Sequence, residues 1–154
     1  MGAKRKPTQQ TILNFSELKQ QKIQEIRREA ERVGQAGVNI YGSVDPLMVF
    51  HMAVTPEDVA LLQQANLVAK TEADILGIPV ESAEIKEKWY EAGEEKTRLH
   101  PEVPIAVHDA VLGQAILHAK NIYRKQEVLI QAVQDAASPE DVAKINWNGG
   151  EMNG

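Results

Sequence analysis

From Pro104 to Asp135 the chain reads IAVHDAVLGQAILHAKNIYRKQEVLIQAVQD after the proline, about nine helical turns with no proline inside. Ile105, His108, Leu112, Ala115, Ala119, Ile122, Gln126, Leu129 and Val133 recur at alternating steps of three and four. That spacing lays them on one stripe of a helix, as a coiled-coil seam or a bundle core requires. A second stripe, Val111, Ile116, Tyr123 and Ile130, widens the apolar face, so we expect this helix at the centre of a bundle, with any oligomer contact through the second stripe. His108 and Gln126 are polar at seam positions, where such residues set register or oligomer state.

The same reading upstream gives further helices. Ser16 as N-cap, with Phe15 as hydrophobic staple, starts a helix that runs to about Gln35, is ended by Gly34 and Gly37, and carries Ile23, Ile26, Ala30 and Val33. Val38–Ser43 reads as a linker or short turn. Asp45-Pro46 reads as a cap and first helical position for a short apolar segment over 47–53. Thr55-Pro56-Glu57-Asp58 is a strong start for a helix to Leu76, stopped at Gly77. Its apolar positions fall on two adjacent faces, one through Val59, Leu62, Ala65, Ala69, Ala73 and Leu76, the other through Leu61, Val68 and Ile75, so this helix too is expected at the centre of the bundle. Ser82 is expected to cap a solvated helix to about Arg98, through Ile85, Trp89 and Ala92. His100-Pro101 would break it. Ser138-Pro139-Glu140-Asp141 repeats the capping logic for a short helix, and Trp147 marks a last docking point. The fold expected is all-α: a helical bundle built on one long C-terminal helix, with a basic N-terminal helix and arm. Its parts are a flexible basic tail over 1–15, the N-terminal helix over 16–36, the bundle over 44–147 and a flexible tail over 148–154.

Composition supports one globular domain: 154 residues, 43% hydrophobic and 25% charged. Aromatics are only 5%, which favours helix over sheet. Without cysteine there is no disulfide and no thiolate metal site. No apolar run approaches the roughly 18–20 residues of a membrane span, and the basic start has no apolar stretch after it as a secretory signal would. The expected setting is the cytoplasm, that of a host cell if the protein is viral. The net charge of −5 is unevenly spread. Residues 1–36 carry eight basic groups, Lys4, Arg5, Lys6, Lys19, Lys22, Arg27, Arg28 and Arg32, against four glutamates, whereas the rest carries nine against eighteen acids. A basic arm on an acidic body suits a polyanion, so these eight residues are the candidate DNA-phosphate contacts. The ordinary alternative is a solvated surface helix, since Glu17, Glu25, Glu29 and Glu31 dilute the charge.

Catalytic patterns are missing. His51, His100, His108 and His118 are the candidate metal or proton-transfer groups. None stands in HExxH, and no Glu lies three residues before any of them, as di-iron carboxylate sites need. His108 and His118 lie roughly 80° apart around one helix and about 15 Å along it, too far to share an ion. There is no glycine-rich phosphate loop and no Gly-x-Ser-x-Gly elbow. We therefore expect no enzyme, no cofactor and no metal. Gln9, Ile12 and Phe15 in QQTILNFS follow the spacing by which clients plug into sliding clamps, although Ser16 stands where a second aromatic belongs.

Three stretches resemble the small terminase subunits of tailed bacteriophages. Met1-Gly2-Ala3-Lys4-Arg5-Lys6-Pro7-Thr8 is similar to the basic, proline-punctuated start of one such family. Thr55-Pro56-Glu57-Asp58-Val59-Ala60-Leu61-Leu62 looks like its helix start, and His100-Pro101-Glu102 is similar to its His-Pro turn before a long terminal helix. The family's Ser-rich C-terminal sequence has no counterpart here. The resemblance implies a helical homo-oligomer that recognises viral DNA and hands it to a large packaging ATPase. The rival expectation is a structural or adaptor protein of a virion or complex, without a nucleic-acid partner. A third is a sliding-clamp client through residues 9–16.

Overall fold

The computed structural model describes residues 14–150, with side chains to 148. Its elements in order are α1 (Phe15–Ala36), β1 (Val38–Val44), β2 (Leu47–Met52), α2 (Pro56–Leu76), β3 (Ser82–Glu91), β4 (Glu94–Pro104), α3 (Ile105–Asp135), α4 (Pro139–Lys144) and α5 (Trp147–Gly150). The fold is mixed, not all-α: each long helix is followed or preceded by an antiparallel hairpin, β1–β2 or β3–β4. The chain divides into two compact units, one of Glu31–Ile122 and the other of the described residues up to Ala30 and from Tyr123 onward. Of the expected tails over 1–15 and 148–154, residues 1–13 and 151–154 lie outside the described residues, whereas 14–15 open α1 and 148–150 belong to α5 rather than to a tail.

The helices start where the side chains offer caps, with one correction. Asn14, not Ser16, caps α1: its Oδ1 accepts the Glu17 N–H at 2.8 Å, and its side-chain Nδ2 donates to Glu17 Oε1 at 2.6 Å. Phe15 is then the first helical residue. At α2 the Thr55 side chain accepts the Asp58 N–H, Pro56 takes the first turn, and Gly77 closes the helix at φ 67°. Ser138 caps α4 in the same way, accepting the Asp141 N–H.

The two hairpins replace three expected features. Residues 38–43, read as a linker or short turn, are β1, and residues 47–53, read as a helical segment, contain β2. Asp45-Pro46 is not a helix start: its peptide bond is cis and forms the two-residue connection between Val44 and Leu47. This places cis-Pro third in a four-residue turn. Ile40 and Phe50 face each other inward and are buried, while Tyr41 and Val49 pair on the outside. The expected helix over 82–98 is β3, its turn and half of β4. Ala83, Ile85 and Glu87 point inward at period two, and Ala92-Gly93, both at positive φ, make the turn between Glu91 and Glu94. His100-Pro101 does not end a helix. His100 pairs with Ile85, and the register shifts between there and the Ala83–Val103 pair, so Pro101 sits in the bulge where no ladder N–H is needed.

In the 31–122 unit, Ile40, Phe50, Met52, Val54, Val59, Leu62, Ile85, Val103, Val111 and Ala115 form one buried cluster. Each large member contributes about 1.5–3 kcal/mol by burial. Gly42 lets β1 approach α3 closely: a Cβ there would stand 2.6 Å from Val107 Cγ1. Beside it the Gln114 carboxamide bonds both the N–H and the C=O of Tyr41. In the other unit the buried apolar residues are Ile23, Ile26 and Ala30 of α1, Leu129, Ile130 and Val133 of α3, Val142 and Trp147. There Lys125 lies 4.4 Å over the Trp147 ring.

Candidate functional site

The long-helix seam is core. His108, Ala115, Leu129 and Val133 are buried, and Ile105, Leu112, Ala119, Ile122 and Gln126 are half-buried. The second stripe does not act as one surface: Val111 and Ile130 are buried while Ile116 and Tyr123 are exposed. His108 is tied at both ring nitrogens. Asn66 Nδ2 donates to His108 Nδ1 at 3.0 Å and to Asp109 Oδ1 at 2.8 Å, and His108 Nε2 meets the Glu84 carbonyl at 2.9 Å. Carboxylate and carbonyl only accept, so the amide orientation and the Nε2–H tautomer are fixed from the two ends. Lys70 Nζ donates to Asp109 at 2.9 Å, and this bond first, with that from Asn66, holds the Asp109 carboxyl below its ordinary value.

A second polar cluster was not legible as one in the sequence. Glu87 is 4% exposed at an inward position of β3. Its Oε2 accepts the His51 backbone N–H at 2.7 Å, and its Oε1 lies 2.6 Å from His100 Nε2, with Arg98 Nη1 at 4.0 Å. The His51 ring reaches the Ala36 carbonyl at 3.0 Å and the Asn39 side chain at 2.9 Å. Phe50 and Trp89 stand edge-on to the His100 and His51 rings. One carboxylate thus ties β2 and β4 through β3. No group of three or more His, Asp and Glu among the described residues is arranged to hold a metal ion. His118, half-buried on α3, belongs to neither cluster.

The basic residues of α1 separate into two kinds. Lys19 Nζ donates to the Gln134 carbonyl at 2.7 Å and lies 4.5 Å over the Phe15 ring. Lys22 is half-buried and paired with Glu25 at 3.3 Å. Arg27, Arg28 and Arg32 are exposed, Arg32 with a partner of its own. Lys4, Arg5 and Lys6 lie outside the described residues, as do Gln9 and Ile12 of the clamp-like motif. Phe15, its aromatic, is half-buried beneath Lys19.

The surface features that remain are apolar. Leu61, Val68 and Ile75 on α2 are 60%, 47% and 79% exposed. At the tip of the first hairpin the paired residues Val44 and Leu47 are 82% and 66% exposed, next to the exposed Tyr41–Val49 pair. A groove of about 690 Å³ opens between α2 and the second hairpin, with Leu61, Ala65 and Val68 on its helical wall and Lys86 and Lys88 on the strand wall. Lys88 is held there by Asp58 at 3.6 Å and Glu95 at 3.8 Å. No helix among the described residues is long and apolar enough to cross a membrane. Comparison of the chain with protein families, with curated proteins and with solved structures finds no match.

Proposed function

We propose that this chain is a non-enzymatic assembly subunit that works by binding copies of itself through its exposed apolar faces. The observation that carries this is the outward row Leu61, Val68 and Ile75 on α2, large side chains left in water on a helix whose other face is buried. Three large apolar side chains repeating along one helix face suit a surface that becomes covered on assembly. The polar clusters at Glu87 and His108 have their hydrogen bonds satisfied inside the fold, and among the described residues no buried side-chain polar atom lacks a partner. They serve the scaffold. The test is the native mass of the purified chain across a concentration series. Assembly should appear by micromolar concentration, and a monomer throughout would refute the reading.

A second reading adds DNA, in the manner of the small terminase subunits that three stretches of the sequence resemble, with a large packaging ATPase as the further partner. Exposed Arg27 and Arg28 favour it, together with Lys4, Arg5 and Lys6 in the sequence. The internal commitments of Lys19 and Lys22 leave fewer phosphate contacts than the charge count suggests. Arg27→Glu combined with Arg28→Glu should weaken a salt-sensitive gel shift by about tenfold or more, since each lost phosphate contact reduces the salt dependence by about one unit. Absence of any shift at low salt leaves assembly alone as the function.

A further inference from the structure

We propose that the groove between α2 and β3 seats residues 4–13 of a second copy, a basic and then apolar segment laid along it. This rests on the assembly reading and names its contact. Two contacts set the direction of the walls. Lys88 of β3 pairs with Asp58 in the first turn of α2 at 3.6 Å, and His108 joins Asn66 to the Glu84 carbonyl further along. As α2 advances from 58 to 66, β3 retreats from 88 to 84, so the walls run in opposite directions. The two ends of the groove differ in charge. At the Asp58 end Leu61 stands beside the triad of Asp58, Lys88 and Glu95, whose charges already meet one another. Toward the other end Glu72 and Glu84 line the groove, and among the described residues neither carboxylate has a cation partner. Lys86 lies on the strand wall between the ends.

The choice of occupant follows from charge and length. Carboxylates outnumber lysines four to two along the lining, and the unpaired ones gather at one end. Such a groove accepts a segment that is basic at one end, apolar at the other and without acids of its own. Residues 1–13, which lie outside the described residues, have that composition: Lys4, Arg5 and Lys6, then Pro7 and a polar run, then Ile12 and Leu13, with no Asp or Glu. Lys6 to Ile12 spans about 20 Å when extended, against about 17 Å from Leu61 to Glu72 along the helix. With Ile12 and Leu13 over Leu61 and Ala65, the three basic groups reach Glu72 and Glu84. Gln9 and Gln10 then pass Lys86, whose ammonium can donate to their carboxamide oxygens. The reverse direction would bring the basic groups to the triad, where Lys88 already holds both carboxylates, and leave Glu72 and Glu84 against apolar side chains.

The chain has no cysteine, so introduced thiols report this contact alone. Full-length Ile12→Cys and Leu61→Cys are mixed and mildly oxidised, and the linked peptides are identified by mass spectrometry beside the native mass of the wild-type chain. We expect the mixed disulfide between positions 12 and 61. Leu67→Cys, as exposed as Leu61 on α2 but outside the groove, should give about tenfold less or lower, because only a seated segment raises the effective thiol concentration. Glu72→Lys with Glu84→Lys in the groove copy should cut the yield about tenfold, and Lys4→Glu, Arg5→Glu and Lys6→Glu in the other copy should restore it. A misfolded groove would not be restored. If the wild-type chain assembles but the 12–61 disulfide does not form, the Leu67 control matches it, or the double charge reversal fails to restore it, this seat is overturned and the assembly reading survives. A chain carrying both Ile12→Cys and Leu61→Cys that closes the disulfide within itself overturns the second copy as occupant. If the wild-type chain is monomeric throughout, both readings fall.

Discussion

Replacing Glu87 by alanine removes the acceptor that ties three strands, and its cost can be worked from the site. Glu87 is buried, with the His51 N–H at 2.7 Å on one oxygen and His100 Nε2 at 2.6 Å on the other. Hydrogen bonds to a charged acceptor contribute about 1.5–3 kcal/mol each, and a donor left buried without a partner costs about 1–3 kcal/mol. Against this, the variant no longer desolvates a carboxylate, and that recovers part of the loss. His100 is partly exposed and can turn to water, whereas the His51 backbone N–H cannot leave its strand. The net expectation is a destabilisation of about 2–4 kcal/mol, a large share of a typical 5–15 kcal/mol. Glu87→Gln should cost less, about 1 kcal/mol. Its oxygen still accepts the His51 N–H, and its amide can donate to the other tautomer of His100. The assay is urea unfolding followed by circular dichroism, comparing midpoints at constant slope. A Glu87→Ala variant within about 0.5 kcal/mol of wild type would show that the carboxylate does not hold the strands.

Two more outcomes follow from the same fold. Gly42→Ala should destabilise by about 1–3 kcal/mol through overpacking, because the new Cβ meets Val107 Cγ1 at 2.6 Å, Phe50 Cε2 at 3.0 Å and Val111 Cγ2 at 3.2 Å; urea unfolding with no change in midpoint would refute it. The Asp109 carboxyl is held low by Lys70 and Asn66, so its folded value lies below its unfolded one. Its stabilisation is therefore complete above about pH 4 and is lost as pH falls through the lower folded value. The group is half exposed, so Asp109→Asn should cost under about 1 kcal/mol near neutral pH, a gap that closes in acid. A gap independent of pH in the same urea series would contradict the assignment.

The long helix and α2 were legible because their apolar positions repeat at helical spacing, and α2 is also marked at its ends by the Thr55 cap and by Gly77. The hairpins were hidden by specific residues. On β3 the inward set is Ala83, Ile85, Glu87 and Trp89, and a carboxylate in the third slot conceals the alternation. Ile85, Trp89 and Ala92 also satisfy steps of four and three, so the stretch scans as a helix as readily as a strand. Its turn, Ala92-Gly93, lacks the Asn or Asp that usually announces positive φ at the first position. Asp45-Pro46 is ambiguous in kind, since the same pair opens helices and closes turns. The outward row of α2 could be read from spacing alone, but its exposure could not. That needed the rest of the core to be in place. Glu87 was invisible as a centre because its partners come from β2 and β4, which no local pattern brings together.

The two bonds from Gln114 to Tyr41 have a consequence for how the first hairpin behaves in a crowded solution. A two-stranded ribbon presents a rim of backbone donors and acceptors on each outer strand, and a foreign strand can add itself there. A primary carboxamide offers a donor and an acceptor much as a peptide unit does. At Tyr41 the protein has supplied that foreign peptide from its own helix, and the position where a third strand would begin is already taken. The hairpin's apolar tip can then be offered to a partner through its side chains while the backbone at Tyr41 is already occupied and gives a foreign strand no start there.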